Sequence, residues 1–555
     1  MTTNCIGRWL WPLVLAGMPG SVLAQDGPPP ARRGRPVGSG PPAAVVNYLV
    51  PNSSALAAAA DLDTVPLNYQ PYTRYLSLYN IPESDRPKLI QTLSFMINSI
   101  SRARLIKPVT IVPGSDNSVV RICLLDYQFY DDVKKKTFGW NPKVYERLGD
   151  IDTYFHADLL KTVTKVIERK ILKKKYVQYG TDYYGQPSYR VEEYWDTVQE
   201  AEQKDVPVRG FPPWCHAAAM GKLNKLTQSN APLLRADWFL VQISLPPFYY
   251  DLLDVGDSIN DFFDLFFVDA KQLERAKLEV KGVVVKSGAG VDGVIPVARN
   301  QRTLTRFQTF IGYLWLTKDT SKSVDNRDYL RILVNEDFEA TELIGLGRNG
   351  LQFYFLAKGN VDAKGNKLKD AGARQDEAPI AIAVDNTNND RRVRNGRSCV
   401  TCHAEGIRPF KPLPQELVKH LIDVVSPDAT KERYLRDTYV TNVADFVSQD
   451  QQIYARAVKA ATKTPWSEGL STEANAAQFG RFYNQYQEAF VTPEMAAFEC
   501  GVSSKDLVQL LGAAQNDPHL QGLSKSDPFL TARRDNWEKS FQQVMILVLQ
   551  AGQRR

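Results

Sequence analysis

The five residues Cys399-Val400-Thr401-Cys402-His403 constrain this 555-residue chain more than any other feature. The two thiols lie three residues apart, so one helical turn points both the same way, and an imidazole follows at once. Three chemistries use a C-x-x-C pair: a redox dithiol, half of a zinc site, or two thioether bonds to the vinyl groups of one porphyrin with the adjacent His on the iron. Zinc needs further Cys or His ligands, and His420 is the only other histidine in the hundred residues that follow. A redox dithiol belongs in a βαβ unit, whereas this pair opens a segment of helical pattern. The motif therefore points to a single covalently attached haem c, with Cys399 and Cys402 as the attachment thiols and His403 as the proximal iron ligand.

The start of the chain agrees with that chemistry. Residues 1–24 carry one cation, Arg8, then an apolar stretch from Trp9 to Met18, then Val22 and Ala24 where a signal peptidase reads. This pattern predicts a cleaved secretory signal peptide and a periplasmic or secreted protein. Pro12, Gly17, Pro19 and Gly20 interrupt the stretch, so no transmembrane segment is expected after cleavage. Cys5 precedes the apolar stretch instead of closing it, so a lipoprotein anchor is not expected. Residues 25–44, rich in Pro and Gly, read as a linker. Export permits disulfides, and Cys123, Cys215 and Cys500 allow one at most; whether Cys123 pairs with Cys215 stays open.

Composition is ordinary and globular, 43% hydrophobic and 23% charged, and the length implies more than one domain. The formal net charge of +6 is too mild to suggest a nucleic-acid partner. The predicted architecture is α+β: a mixed α/β domain over 45–385, with two subdomains conceivable, then a mainly helical domain over 386–555. Helical spacing appears in Asp85–Arg104, through Leu89, Leu93, Met96, Ile97 and Ile100, and again in Ile151–Lys173. Val119–Tyr127, Trp238–Leu245, Val280–Val285, Arg331–Val334, Leu351–Ala357 and Ile380–Val384 read as strands. The tyrosine-rich stretch Tyr176–Pro213 reads as a surface excursion. Beyond the motif, Leu413–Val425, Glu494–Glu499, Ser504–Leu511 and Trp537–Leu549 suit helices. Asn349, Gly350 and Gln352 look like a turn into a strand, and Arg235 with Asp237 or Asp251 like a structural ion pair.

The C-terminal part resembles the cytochrome c superfamily. Five stretches extend the likeness: RYLSLYN (Arg74–Asn80), RADWFLVQISLPPFYYDLL (Arg235–Leu253), NGLQFYFL (Asn349–Leu356), APIAIAVD (Ala378–Asp385) and NGRSCVTCHAEGIRP (Asn395–Pro409). Across them the chain is similar to large exported bacterial monohaem proteins, a group with no assigned substrate. The resemblance implies haem binding and electron transfer in the periplasm.

The second axial ligand decides between functions. Small cytochromes c take a Met a few dozen residues after the His, but the next one here is Met495. His420 offers a bis-His centre, and His156 or His216 a ligand from the N-terminal part. Two strong ligands restrict the iron to passing electrons, whereas an exchangeable position permits a haem enzyme or a sensor. Arg391, Arg392, Arg394, Arg397, Arg408 and Lys411 crowd the motif. Arg397 and Arg408 are the candidates for the haem propionates, and exposed members of the group would steer an acidic redox partner.

Overall fold

In the computed structural model, the described residues are 52–129, 159–181, 186–208, 217–229, 232–269, 279–287, 300–320, 337–380, 382–388, 390–410, 443–500, 502–512 and 532–534, with 416, 419, 420, 536, 537, 540, 544 and 547. The signal segment, the linker, His156, His216, Cys215, Arg331–Val334 and most of Leu413–Val425 lie outside them. So does the 151–158 part of the expected helix.

Helix α1 (Asn52–Thr64) leads into strand β1 (Thr73–Ser77), helix α2 (Arg86–Ser99) and strands β2 (Thr110–Ile111) and β3 (Val119–Cys123). Helix α2 lies where the apolar spacing predicts it. It stops at Ser99, and it buries Leu89, Leu93, Met96 and Ile97. Next come strands β4 (Leu159–Thr181) and β5 (Pro187–Val208), then α3 (Ala217–Thr227), β6 (Leu233–Arg235), α4 (Ala236–Ile243), α5 (Phe248–Leu253) and α6 (Ile259–Leu265). Strand β1 pairs antiparallel with β3 and parallel with β6, which makes a four-stranded sheet in the order β2-β3-β1-β6.

The second sheet positions the site. Strands β7 (Glu279–Ser287), β8 (Asn300–Gln308), β9 (Tyr313–Thr320), β10 (Ala340–Leu346), β11 (Gln352–Lys358) and β12 (Arg374–Gln375) form a six-stranded antiparallel meander, each paired with the next. Gly350, at φ +86°, makes the turn that the sequence places before β11. The C-terminal helices are α7 (Arg397–Cys402), α8 (Val447–Ala461), α9 (Thr472–Gln487), α10 (Pro493–Glu499) and α11 (Ser504–Gly512), with the short pair β13 (Phe490–Val491) and β14 (Ala532–Arg533). The fold is α+β.

Three expectations are corrected. Residues 159–173 are strand, not helix: Thr162, Val163, Thr164, Val166 and Ile167 are β-branched, and that stiffness at χ1 outweighs the helical spacing. Trp238–Leu245 is not a strand but helix α4, buried on nearly every side, and a short apolar run carries no period that separates the two states. Its first turn is fixed by Asp237, whose Oδ1 accepts the Trp238 amide at 2.8 Å. The described residues of Ile380–Val384 form no strand; Ile382 and Ala383 turn back to donate to the Pro379 carbonyl.

One hydrophobic cluster runs through both sides of Asp385. It joins Leu93 and Met96 of α2, Phe239 and Leu240 of α4, Trp315 and Tyr354 of the meander, Cys399 of α7, Tyr454 of α8 and Phe479 of α9. A separate cluster holds Met495, Cys500, Leu507, Leu511, Trp537 and Val544.

Candidate functional site

Helix α7 starts from Gly396, whose φ of +76° suits only glycine there. A Cβ at this position would stand 2.6 Å from the Ser244 carbonyl oxygen and 2.7 Å from the Tyr249 ring. The preceding loop is tied down by Asp385, which accepts the Thr387 amide at 2.9 Å and the Asn388 side chain at 3.1 Å. Asn395, fully buried, donates to the Tyr354 carbonyl at 3.1 Å and accepts from the Cys399 thiol at 3.4 Å. The loop and strand β11 thus fix the turn that bears the two thiols.

Cys399 and Cys402 are unpaired. Burial pushes the Cys399 thiol well above its usual range, and burial, with Asp385 and Glu342 adding to it, pushes Cys402 up to about 12. Both are therefore thiols at neutral pH, poor nucleophiles and poor redox dithiols. Among the described residues no group of three His, Cys, Asp or Glu side chains is built to hold a metal ion.

His403 caps α7 with its ring stacked on Tyr354, centroids 5.9 Å apart. Nδ1 lies 3.2 Å from the Gly406 carbonyl oxygen and Nε2 lies 3.1 Å from Glu342 Oε1. Such a carbonyl fixes the ring orientation, and the tight turn at Gly406 supplies it. Glu342 comes from β10 and reaches the imidazole through the sheet register: it faces Thr317, and Arg302 on β8 faces Asp319 on β9. Arg302 grips Asp319, with Nη2 to Oδ2 at 3.2 Å, and stands 3.7 Å from Glu342. Burial alone would raise the Glu342 carboxyl; His403, Arg302 and Arg408 outweigh it and hold the group at about 2.

The donor set fits a haem. Two unpaired thiols sit at i and i+3, an imidazole has one nitrogen fixed by a backbone carbonyl, and its other nitrogen faces a side-chain carboxylate. Buried tyrosines surround the set: Tyr249, Tyr250, Tyr313, Tyr354 and Tyr454, with Gln352 bridging Tyr354 and Tyr313 at 3.0 and 2.9 Å.

The remaining candidates fall into different places. Arg397 is fully buried; it donates to Thr401 at 2.6 Å and Thr387 at 3.0 Å and stacks over Tyr483 at 4.4 Å. Arg408 is exposed and acts on both Glu342 and Cys402. Arg392 and Arg394 pair with Glu377 and Asp390, and Arg391 is exposed. His420 is exposed on a helical stretch, and Met495 is buried in the separate C-terminal cluster. Arg235 and Asp237 form the expected ion pair, Nη2 to Oδ2 at 2.8 Å.

Sequence reasoning missed Glu342, Arg302, Asn395 and the tyrosines. A lone Glu inside the apolar strand Ala340–Leu346 was the available signal for Glu342. No family model, curated protein or solved structure matches the chain.

Proposed function

We propose that this protein is an exported, periplasmic or secreted monohaem c-type cytochrome-domain protein. Cys399 and Cys402 hold the haem covalently and His403 is the proximal ligand. A haem held there supplies a one-electron couple. The observation that carries the reading is the α7 turn: two unpaired thiols one helical turn apart are followed at once by His403, whose Nδ1 is anchored on Gly406. In this reading the cytochrome c-like helical part after Asp385 bears the haem. The α+β part before it contributes Glu342, Arg302 and Tyr354.

The chain's own residues have defined tasks. Gly406 and Tyr354 orient the imidazole, Asn395 places Cys399, and the tyrosine layer keeps water from the turn. Glu342 holds His403 Nε2, the nitrogen that would be offered to a haem iron. Arg408, exposed beside Cys402, is the better propionate contact, because Arg397 is fully buried and already holds Thr401 and Thr387. Exposed Arg391 and Arg408 face an acidic redox partner.

A second reading, a haem enzyme or sensor with an exchangeable sixth position, draws support from Met495 and His420. The first is packed in a separate cluster and the second is exposed. The test is a denaturing gel and an optical spectrum of the mature protein. Haem colour should survive denaturation and be lost in the Cys399→Ala, Cys402→Ala double variant; retention there overturns the assignment. Prompt carbon monoxide binding by the reduced protein selects the second reading, and indifference selects the carrier.

A further inference from the structure

Strands β4 and β5 pair only with each other among the described residues, over 23 and 22 residues. A lone two-stranded ribbon is marginal in water, and both of its outer edges are open. The register shows what one face of this arm displays. Tyr176 opposes Val191, Lys174 opposes Glu193 and Leu172 opposes Trp195, so all six side chains share a face. Tyr176 is 74% exposed and Trp195 67%, and Leu172 and Val191 are close to half exposed. Two apolar rows thus flank one ion pair, Lys174 to Glu193 at 3.1 Å. On the opposite face Lys173 binds Asp196 at 2.7 Å and Lys175 binds Glu192 at 3.3 Å.

We propose that this face packs against the same face of a second copy of the chain. The charges select the occupant and the geometry. At the patch Lys173, Lys174 and Lys175 are each paired with an acid of β5, so this face offers little net field to a nucleic acid, an anionic membrane or a charged protein. It is, however, complementary to itself. Turn a second ribbon over about an axis parallel to the strands, and β4 of one copy lies over β5 of the other. Lys174 then meets the partner's Glu193, Leu172 meets the partner's Trp195, and Tyr176 meets the partner's Val191. Four charges of alternating sign sit between two apolar rows, at the roughly 10 Å spacing of stacked sheets. A two-fold axis across the strands would instead set Lys174 on the partner's Lys174, and like charges oppose it. A self-complementary patch of this kind is what an isologous dimer uses.

The arm lies far in sequence from Cys399–His403, and none of the patch residues is assigned to the haem, so this inference stands whether or not haem binds. Sedimentation equilibrium of the full mature chain tests it, with near-UV circular dichroism to confirm that the core is folded. A dimer is expected. Tyr176→Ser with Trp195→Ser should weaken it about thirtyfold or more, as loss of buried aromatic anchors does. Lys174→Glu should also weaken it, and adding Glu193→Lys should restore it. A chain with 159–208 replaced by a short Gly-Ser linker should be monomeric. The proposal is overturned by a native chain that stays monomeric at about 100 μM, a range that captures even weak pairs. A dimer indifferent to every arm variant, or one that survives excision of the arm, overturns it equally.

Discussion

At the scale of single residues, Glu342 is the side chain whose role is most sharply defined by its neighbours. Its carboxylate stands between His403 and Arg302, with Arg408 close enough to act on it, and those three neighbours overcome the cost of burying it. A carboxyl held at about 2 in the folded chain and near 4.5 when free binds fewer protons folded than unfolded. The stabilisation is therefore complete above pH 4.5 and is lost as the pH falls from there toward 2. The difference corresponds to about 3 kcal/mol. The expected outcome is measured on the haem-free Cys399→Ser, Cys402→Ser chain by urea unfolding at a series of pH values. Its stability should decline across that window, and Glu342→Gln should flatten the decline. A decline of the same size in the Glu342→Gln chain would show that other carboxylates cause it. Arg397 makes the complementary point: the sequence brings it beside the motif, yet burial turns it into a strut between Thr387, Thr401 and Tyr483.

At the scale of elements, α7 depends on one glycine. Gly396 combines a left-handed φ with close contacts to Ser244 and Tyr249, so any side chain there must strain the backbone and displace α4 or α5. Gly396→Ala should cost about 2–3 kcal/mol in urea unfolding, the sum of the conformational and overpacking penalties. It should also lower the covalent haem content per chain, because Cys399 moves away from Asn395. Full stability with full haem content would show that the turn tolerates a Cβ. This glycine and the motif beside it are local features, and local features are what the sequence makes legible. Helix α2, strand β11 and the turn at Gly350 were readable for the same reason: each follows from spacing or from a residue with one conformational use. The long hairpin and α4 were not. Isolated runs such as WFLVQI suit either state, and only tertiary packing chooses between them. Glu342 was hidden by a different cause. It reaches His403 through the pairing of β8, β9 and β10, and no spacing along the chain encodes that register.

At the scale of the whole molecule, the question is how far the helices that follow Asp385 stand alone. Their buried faces point into the sheets. Asp450 of α8 accepts Nε and Nη2 of Arg306 of β8, each at 3.0 Å, and the Trp315 indole of β9 at 2.7 Å. The end of α8 receives hydrogen bonds from Gln91 and Ser94 of α2, through the carbonyls of Thr462 and Ala461. His403 rests on Tyr354 and Glu342 of the meander, and Asn395 bonds the β11 backbone. Separating 386–555 from the rest would strand Asp450, which is 1% exposed, without its guanidinium, and would open the apolar faces of α7, α8 and α9 to water. Breaking a buried pair of this kind costs about 3–5 kcal/mol, a large share of the stability of any single domain. The expected outcome is that residues 386–555, expressed alone, retain helical far-UV dichroism but lack near-UV fine structure and unfold in urea without a cooperative transition. The full chain should unfold cooperatively, with the haem region and the meander sharing one midpoint. A sharp, independent transition in the isolated segment would mean that it closes its own core, and that the contacts with the sheets are docking contacts between finished domains.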